Sequence, residues 1–442
     1  IVYNFLFFLF FCLSAPYYFL KMLRRGNWRG GFGQRFGRYS AAFKESLAGR
    51  RTIWVHAVSV GEVNVCAELI RALEPRLKGC HFVVSTTTST GMERLRKEFP
   101  ESVTKVYYPI DLSWFVESAL RTIHPSALIL VEAEIWPNFL WRLKRDEIPA
   151  FVVNARLSDR SYRGYRKHGW LFGSIFSSFA FIGAQNKEDA ARFRELGYRE
   201  EAVEIPGVLK FDAVGTDAGS DFDADAVLRK SGWKPGSPIL VAGSTHDGEE
   251  AILAGMARNL RARFPDLHLV IVPRHMERRH QIAGALRDLG VTFALRSELT
   301  VESSDAVGDN RCLVVDSTGE LMDFYRAATI VFVGKSLSSK GGQNPIEPCS
   351  LGKPTVFGPN MQNFKYVARA FVDGGGAIQV VDSAGLESAV GELLGDKARR
   401  EELGANALKV VEANRGAVER TVNMLTARLE EAGVLSKNGS TE

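Results

Sequence analysis

Short apolar runs alternate with amphipathic stretches along most of the chain. RTIWVHAV (51–58), HFVVSTTT (81–88), KVYYP (105–109), SALILVEAE (126–134), IPAFVVNAR (148–156), FAFIGAQ (179–185) and VEIPGV (203–208) read as strands. Between them, Val63–Leu77, Met92–Glu98, Trp114–Thr122 and Trp136–Arg145 carry helical spacing. Unbroken apolar strands are those of a parallel sheet covered on both faces. A stretch rich in Asp, Gly, Ala and Ser, from Asp212 to Ser237, interrupts the pattern and reads as a connection. The alternation then resumes with PILVAGST, LHLVIVPRH, VTFAL, CLVVDSTGE, ATIVFVGK and KPTVFGP. The fold class expected is α/β, with two doubly wound Rossmann-like domains facing a cleft lined by strand-to-helix loops. The expected segments are a transmembrane anchor at 1–23, a basic membrane-proximal collar at 24–50, a first Rossmann-like domain at 51–212, a linker at 213–237, a second Rossmann-like domain at 238–396 and a helical tail at 397–442. Within the tail, Lys397–Glu431 is helical and charged, and is expected to pack back across the first domain.

With 442 residues the chain exceeds what one core usually organises, in keeping with two domains. An apolar share of 45% and a charged share of 24% exclude wholesale disorder. Five scattered cysteines, without a CxxC pair, indicate neither a disulfide framework nor a metal site. The net charge of +5 is modest, but its distribution is uneven, and no nucleic-acid partner is expected. Ile1 to Leu20 holds no charged residue, a length that suits a membrane-spanning helix. Lys21, Arg24, Arg25, Arg29, Arg35, Arg38 and Lys44 then precede the first acid, Glu45, and this positive flank predicts a body on the cytoplasmic side. Beside Trp28, Phe32 and Phe36, those cations are placed to lie on anionic headgroups. A cleaved signal peptide fits less well, because its cations belong upstream of the apolar run.

Polar residues gather where the strands end. His56-Ala57-Val58-Ser59-Val60-Gly61-Glu62 leads from strand to helix, with Glu62 in the first helical turn. A carboxylate there is suited to take a proton from a hydroxyl, and equally suited simply to complement the helix dipole. Val131 to Asn138 places Glu132 and Glu134 at a strand end, on the same side by strand alternation. Arg156 in NARLS either meets an anion or belongs to a helix cap, and Lys210 in VLKFD either reaches a phosphate or is solvated. In the second half, Gly243-Ser244-Thr245-His246 precedes an acidic helix start whose amides suit a phosphate oxygen or an ordinary cap. Pro273-Arg274-His275 offers a cation, and Asp316 to Leu321 a close backbone approach. Lys340 to Pro348 reads as a glycine turn, an Asn cap, a Pro at the first helical position and Glu347 one turn in. That arrangement suits a sugar-nucleotide, with Glu347 on the ribose hydroxyls, and equally suits an ordinary helix cap.

Taken in order, HAVSVGEV, STTTSTG, EAEIWPN, NARLS, VLKFD, GSTHDGEE, VPRH, DSTGELMDFY and GGQNPIEP resemble the 3-deoxy-D-manno-octulosonic acid (Kdo) transferase family, from about Gly26 to Phe364. The resemblance implies a GT-B fold with a membrane-anchor helix at the bacterial inner membrane. It also implies inverting transfer of Kdo from CMP-Kdo to the glucosamine disaccharide of a lipid A precursor, with no cofactor or metal. By motif, Glu62 would be the general base, with Glu132 and Lys210 stabilising the transition state. CMP would be held by Pro273 and Arg274, by Thr318, Gly319 and Glu320, and by Asn344, Pro345, Ile346 and Glu347. The chain departs from the family at Lys335, in place of the second glycine of a Gly-Gly-Ser turn, at Gln343, where His is common, and at Ala133, where Thr is common. Rival readings are a GT-B enzyme or epimerase using a UDP-sugar, and a silent nucleotide-binding membrane scaffold.

Overall fold

The apolar runs become two all-parallel sheets. A computed structural model describes residues 2–25, 30–132, 134–213, 222–299 and 311–435. Ala133, Trp28 and Arg29, the linker residues 214–221, and the side chains of Lys21, Arg24 and Arg25 lie outside the described residues. The first sheet comprises β1 (Arg51–His56), β2 (Cys80–Thr86), β3 (Thr104–Tyr107), β4 (Pro125–Val131), β5 (Ala150–Ala155), β6 (Phe179–Ala184) and β7 (Val203–Glu204), in the order β3-β2-β1-β4-β5-β6-β7. The second comprises β8 (Ile239–Thr245), β9 (His268–Pro273), β10 (Ala294–Leu295), β11 (Cys312–Val314), β12 (Ile330–Val333), β13 (Thr355–Phe357) and β14 (Ile378–Gln379), in the order β10-β11-β9-β8-β12-β13-β14. The two-residue β14 has no counterpart among the expected strands.

The period of two explains why the runs had to be apolar throughout. In β4, Ala127, Ile129 and Val131 enter the core on one face while Leu128 and Leu130 enter the core on the other. Strand order reverses around β1 and β4 in the first sheet and around β8 and β12 in the second, the positions where such sheets present ligand-binding loops.

The chain divides into one unit of Ile1–Ala213 with Arg415–Glu442 and another of Val214–Asn414. The C-terminal stretch is therefore shared. Helix Lys397–Asn414 belongs to the second unit, whereas helix Ala417–Glu431 gives Val422, Leu425 and Leu429 to the first unit's core. Asp212 fixes that return: its carboxylate accepts the Gly416 and Val418 N–H groups, both at 2.7 Å.

The N-terminal segment is helical from Val2 to Arg25, but among the described residues no helix is long and apolar enough to cross a membrane. The expected transmembrane anchor is therefore not supported. Instead, the start of this helix lies on the first unit. The Tyr3 hydroxyl donates to Asp111 at 2.8 Å, the Asn138 side chain donates to Asn4 at 3.0 Å, and Phe7 meets Trp136 edge-on at 6.1 Å between ring centroids. Phe5, Leu6, Leu9, Phe10 and Leu13 are exposed. Part of the expected collar also turns inward. Arg35 stacks 3.9 Å over the Tyr107 ring and donates to the Thr87 carbonyl, and Phe36 packs on Phe11 and Phe115.

Candidate active site

Among the described residues six non-glycine positions have positive φ: His124, Glu132, Glu147, Asn154, Ser244 and Lys335. Each such residue costs on the order of 1–3 kcal/mol and persists only where its surroundings hold it. Four of them stand at carboxyl ends of strands. Asn154 and Ser244 lie at register shifts of β5 and β8, while Glu132 and Lys335 follow β4 and β12, the strands beside which each sheet's order reverses.

In the first unit, β1 delivers the chain to Ser59, whose hydroxyl accepts the Glu62 N–H at 3.3 Å and caps helix Val60–Leu73. The Glu62 carboxylate turns back and accepts the Val58 N–H and the Ser59 hydroxyl, each at 2.8 Å. Capping and chemistry thus fall on one residue. Burial, joined by the charge of Glu132, pushes the Glu62 carboxyl up to about 7, against the pull of those two donors.

Glu132 has left the strand. At φ 61 its side chain no longer follows the alternation of β4, so the expectation that strand pleating puts Glu132 and Glu134 on one side does not hold. The two acids come together instead through the turn, in which the Glu134 N–H reaches the Glu132 carbonyl at 3.3 Å. The buried Glu132 carboxylate takes Lys210 Nζ at 2.8 Å and Arg156 Nε at 2.9 Å. Burial opposes its ionisation, but Lys210 and Arg156 outweigh that and hold it below the ordinary glutamate range. Glu134 accepts Trp136 Nε1 at 3.0 Å and is raised, first by burial. His56 lies 4.0 Å from Glu134, but burial pushes its imidazole down to about 3, so the neutral ring forms no ion pair. Glu62, Glu132 and Lys210 thus meet in one unit. Arg156, read from sequence as an anion receptor or part of a cap, clamps Glu132, while the cap of helix Asp159–Lys167 is Ser158.

In the second unit the expected donor residues fall at the end of β9, in the turn after β11 and at the start of a short helix beyond β12. Pro273 closes β9, and the exposed Arg274 donates its N–H to the Thr245 carbonyl at 3.0 Å. Thr318 and Gly319 form an exposed turn after β11, with φ 92 at Gly319. Glu320 is already engaged by Arg296 through two contacts of 3.2 Å and by the Ser317 hydroxyl at 2.6 Å. Asn344 accepts the Ile346 N–H at 3.1 Å and donates to Glu347 at 3.2 Å. The helix there starts at Ile346, one residue later than expected, and ends at Ser350, so few aligned peptide dipoles stand behind its tip.

Glu249 and Glu250, in sequence simply part of an acidic helix start, were not among the expected site residues. Glu249 is wholly buried and accepts the N–H groups of His246 (2.9 Å), Lys335 (2.7 Å), Ser336 (2.9 Å) and Leu337 (3.0 Å). Glu250 accepts the Thr245 hydroxyl at 2.9 Å and Arg278 Nη1 at 2.8 Å. Their one signal in sequence was the density of polar residues around them. Gly334 completes this packing, because a Cβ there would lie 2.6 Å from the Ser244 carbonyl oxygen. Among the described residues no group of three or more His, Cys, Asp or Glu is arranged to hold a metal ion.

The family model for 3-deoxy-D-manno-octulosonic-acid transferase (kdotransferase) matches residues 30–213. A 3-deoxy-D-manno-octulosonic acid transferase of Bordetella pertussis is 31% identical, with 93% of this chain and 96% of the relative covered. Among solved structures, the S. aureus MnaA–UDP complex superposes with a TM-score of 0.59 at 15% identity, over 88% of this chain and 99% of that one. That likeness is one of fold alone and agrees with a GT-B-like pair of units. A Haemophilus influenzae 3-deoxy-D-manno-octulosonic acid transferase is 35% identical over 93% of this chain and 94% of its own length, and the chain belongs to that family.

Proposed function

We propose that the chain transfers Kdo from CMP-Kdo to the glucosamine disaccharide of a lipid A precursor, with inversion at the anomeric carbon. The observation that carries this reading is the tuned carboxylate pair: Glu62, raised to about 7, beside a Glu132 kept ionised by Lys210 and Arg156. A base near neutrality combines availability with proton affinity. Glu62 takes the proton of an acceptor hydroxyl as its oxygen forms the new bond to the anomeric carbon. The bond to the phosphate oxygen breaks, and its electron pair leaves with CMP. Burial raises the proton affinity of Glu62 most and the charge of Glu132 adds to it, while Lys210 and Arg156 keep Glu132 charged.

CMP is assigned to the second unit, at Pro273, Arg274, Thr318, Gly319, Glu320 and the segment from Asn344 to Glu347. Glu320 then serves through its Arg296 pair, which fixes the turn that carries Thr318. Attachment at the cytoplasmic face of the inner membrane is part of the proposal, and the exposed Phe5, Leu6, Leu9, Phe10 and Leu13 support a surface contact. The test is transfer of labelled Kdo from freshly generated CMP-Kdo to a tetraacylated disaccharide lipid, with product mass measured. A mass gain of whole Kdo units is expected, whereas product formed only from a UDP-sugar would replace this reading.

A further inference from the structure

Lys335 lies two residues past β12, with a left-handed backbone of φ 56. Glycine takes that conformation without strain, and a lysine needed only for solvation gains nothing from it. The loop holds the residue from both sides. Its N–H is accepted by Glu249 at 2.7 Å, and its carbonyl accepts the Gly342 N–H at 2.9 Å. The side chain is equally placed. A Cβ on Gly341 would come 3.3 Å from Lys335 Cε and 3.4 Å from Nζ, and glycine with φ 127 at that position leaves the lysine room along the turn.

The surroundings call for an anion. Among the described residues no carboxylate pairs with Lys335, and the adjacent Glu249 is occupied by four backbone N–H groups. His246 lies within reach of the Lys335 charge: burial first, and Lys335 in addition, lower its pKa. The His275 ring is 5.7 Å from that of His246, and Arg274 is exposed beside it.

We propose that Lys335 binds the phosphate of the nucleotide donor, its ammonium held over the Gly341 turn by the left-handed backbone. The inference rests on the donor reading above, which makes the anion a nucleotide phosphate.

Calorimetric titration of the full chain with CMP and with cytidine, compared with K335M and K335G, tests it. Loss of one charge-assisted contact predicts CMP binding weaker by about 10-fold in both variants, with cytidine binding unchanged. K335G is expected to melt at or above the wild-type temperature, because it relieves the backbone. Undiminished CMP affinity in K335M, or equal loss for CMP and cytidine, would overturn the phosphate role, and a lower melting temperature for K335G would overturn the strain argument. Preference for UMP over CMP with the same dependence on Lys335 would remove the cytidine reading and leave the phosphate role standing. A wild type that binds no nucleotide would sink both.

Discussion

The two units use one backbone device for opposite charges. Where strand order reverses in the first sheet, a strained residue after β4 presents an anion, Glu132. At the matching place in the second, a strained residue after β12 presents a cation, Lys335. Glu132 is buried and closed in by Lys210 and Arg156, so its charge acts on a neighbour, Glu62. Lys335 is partly exposed and has no carboxylate partner among the described residues, so its charge is left for an incoming group. Doubly wound topology fixes where a charge can be displayed, and the local ion pairs decide whether it tunes or binds.

The largest expected effect comes from removing the base. Glu62→Gln should lower transfer by about 10²–10⁴-fold while CMP affinity, measured by titration, stays at the wild-type value. Normal turnover would end the general-base assignment.

Lys210→Met leaves the buried Glu132 with Arg156 alone. Stripping one partner from a buried ion network predicts destabilisation on the order of 3 kcal/mol in urea unfolding, and a raised pKa for Glu132. A loss below about 1 kcal/mol would mean that the ion pair behaves as a surface contact.

A smaller effect is expected at Asp212, whose carboxylate holds the helix that returns to the first unit. Asp212→Ala predicts a loss of about 1–2 kcal/mol in the same experiment. Unchanged stability would show that the core contacts of Val422, Leu425 and Leu429 suffice to dock the helix.

The strands were legible because a parallel strand covered on both faces must be apolar at every position, as in SALILV and ILVA. Glu62 was legible for a local reason, since its place three residues after Ser59 is that of a capping box. The Glu132 contacts were not, because strand alternation stops at Val131 and its partners, Arg156 and Lys210, come from distant loops. Glu249 and Glu250 were not legible because most of their donors come from distant segments, Lys335 to Leu337 for Glu249 and Arg278 for Glu250. The N-terminal run differs again. Hydropathy measures apolar length, and it does not register that Tyr3, Asn4 and Phe7 have partners on the folded unit.

The raised Glu62 pKa also has a thermodynamic sign. Its ordinary value is 4.5 and its folded value about 7, so the folded chain binds more protons than the unfolded chain between these limits. This residue's contribution to stability therefore falls as pH rises through that window. Its catalytic contribution rises through the same window, because only the ionised form accepts a proton.

The pH dependence of kcat/KM for Kdo transfer, in the wild type and in Glu132→Gln, tests the tuned pair most directly. The wild type should gain activity up to about pH 7 and then level off, with the break displaced to lower pH in the variant. An unchanged break in Glu132→Gln, or a wild-type profile without an acid limb near neutrality, would contradict the account.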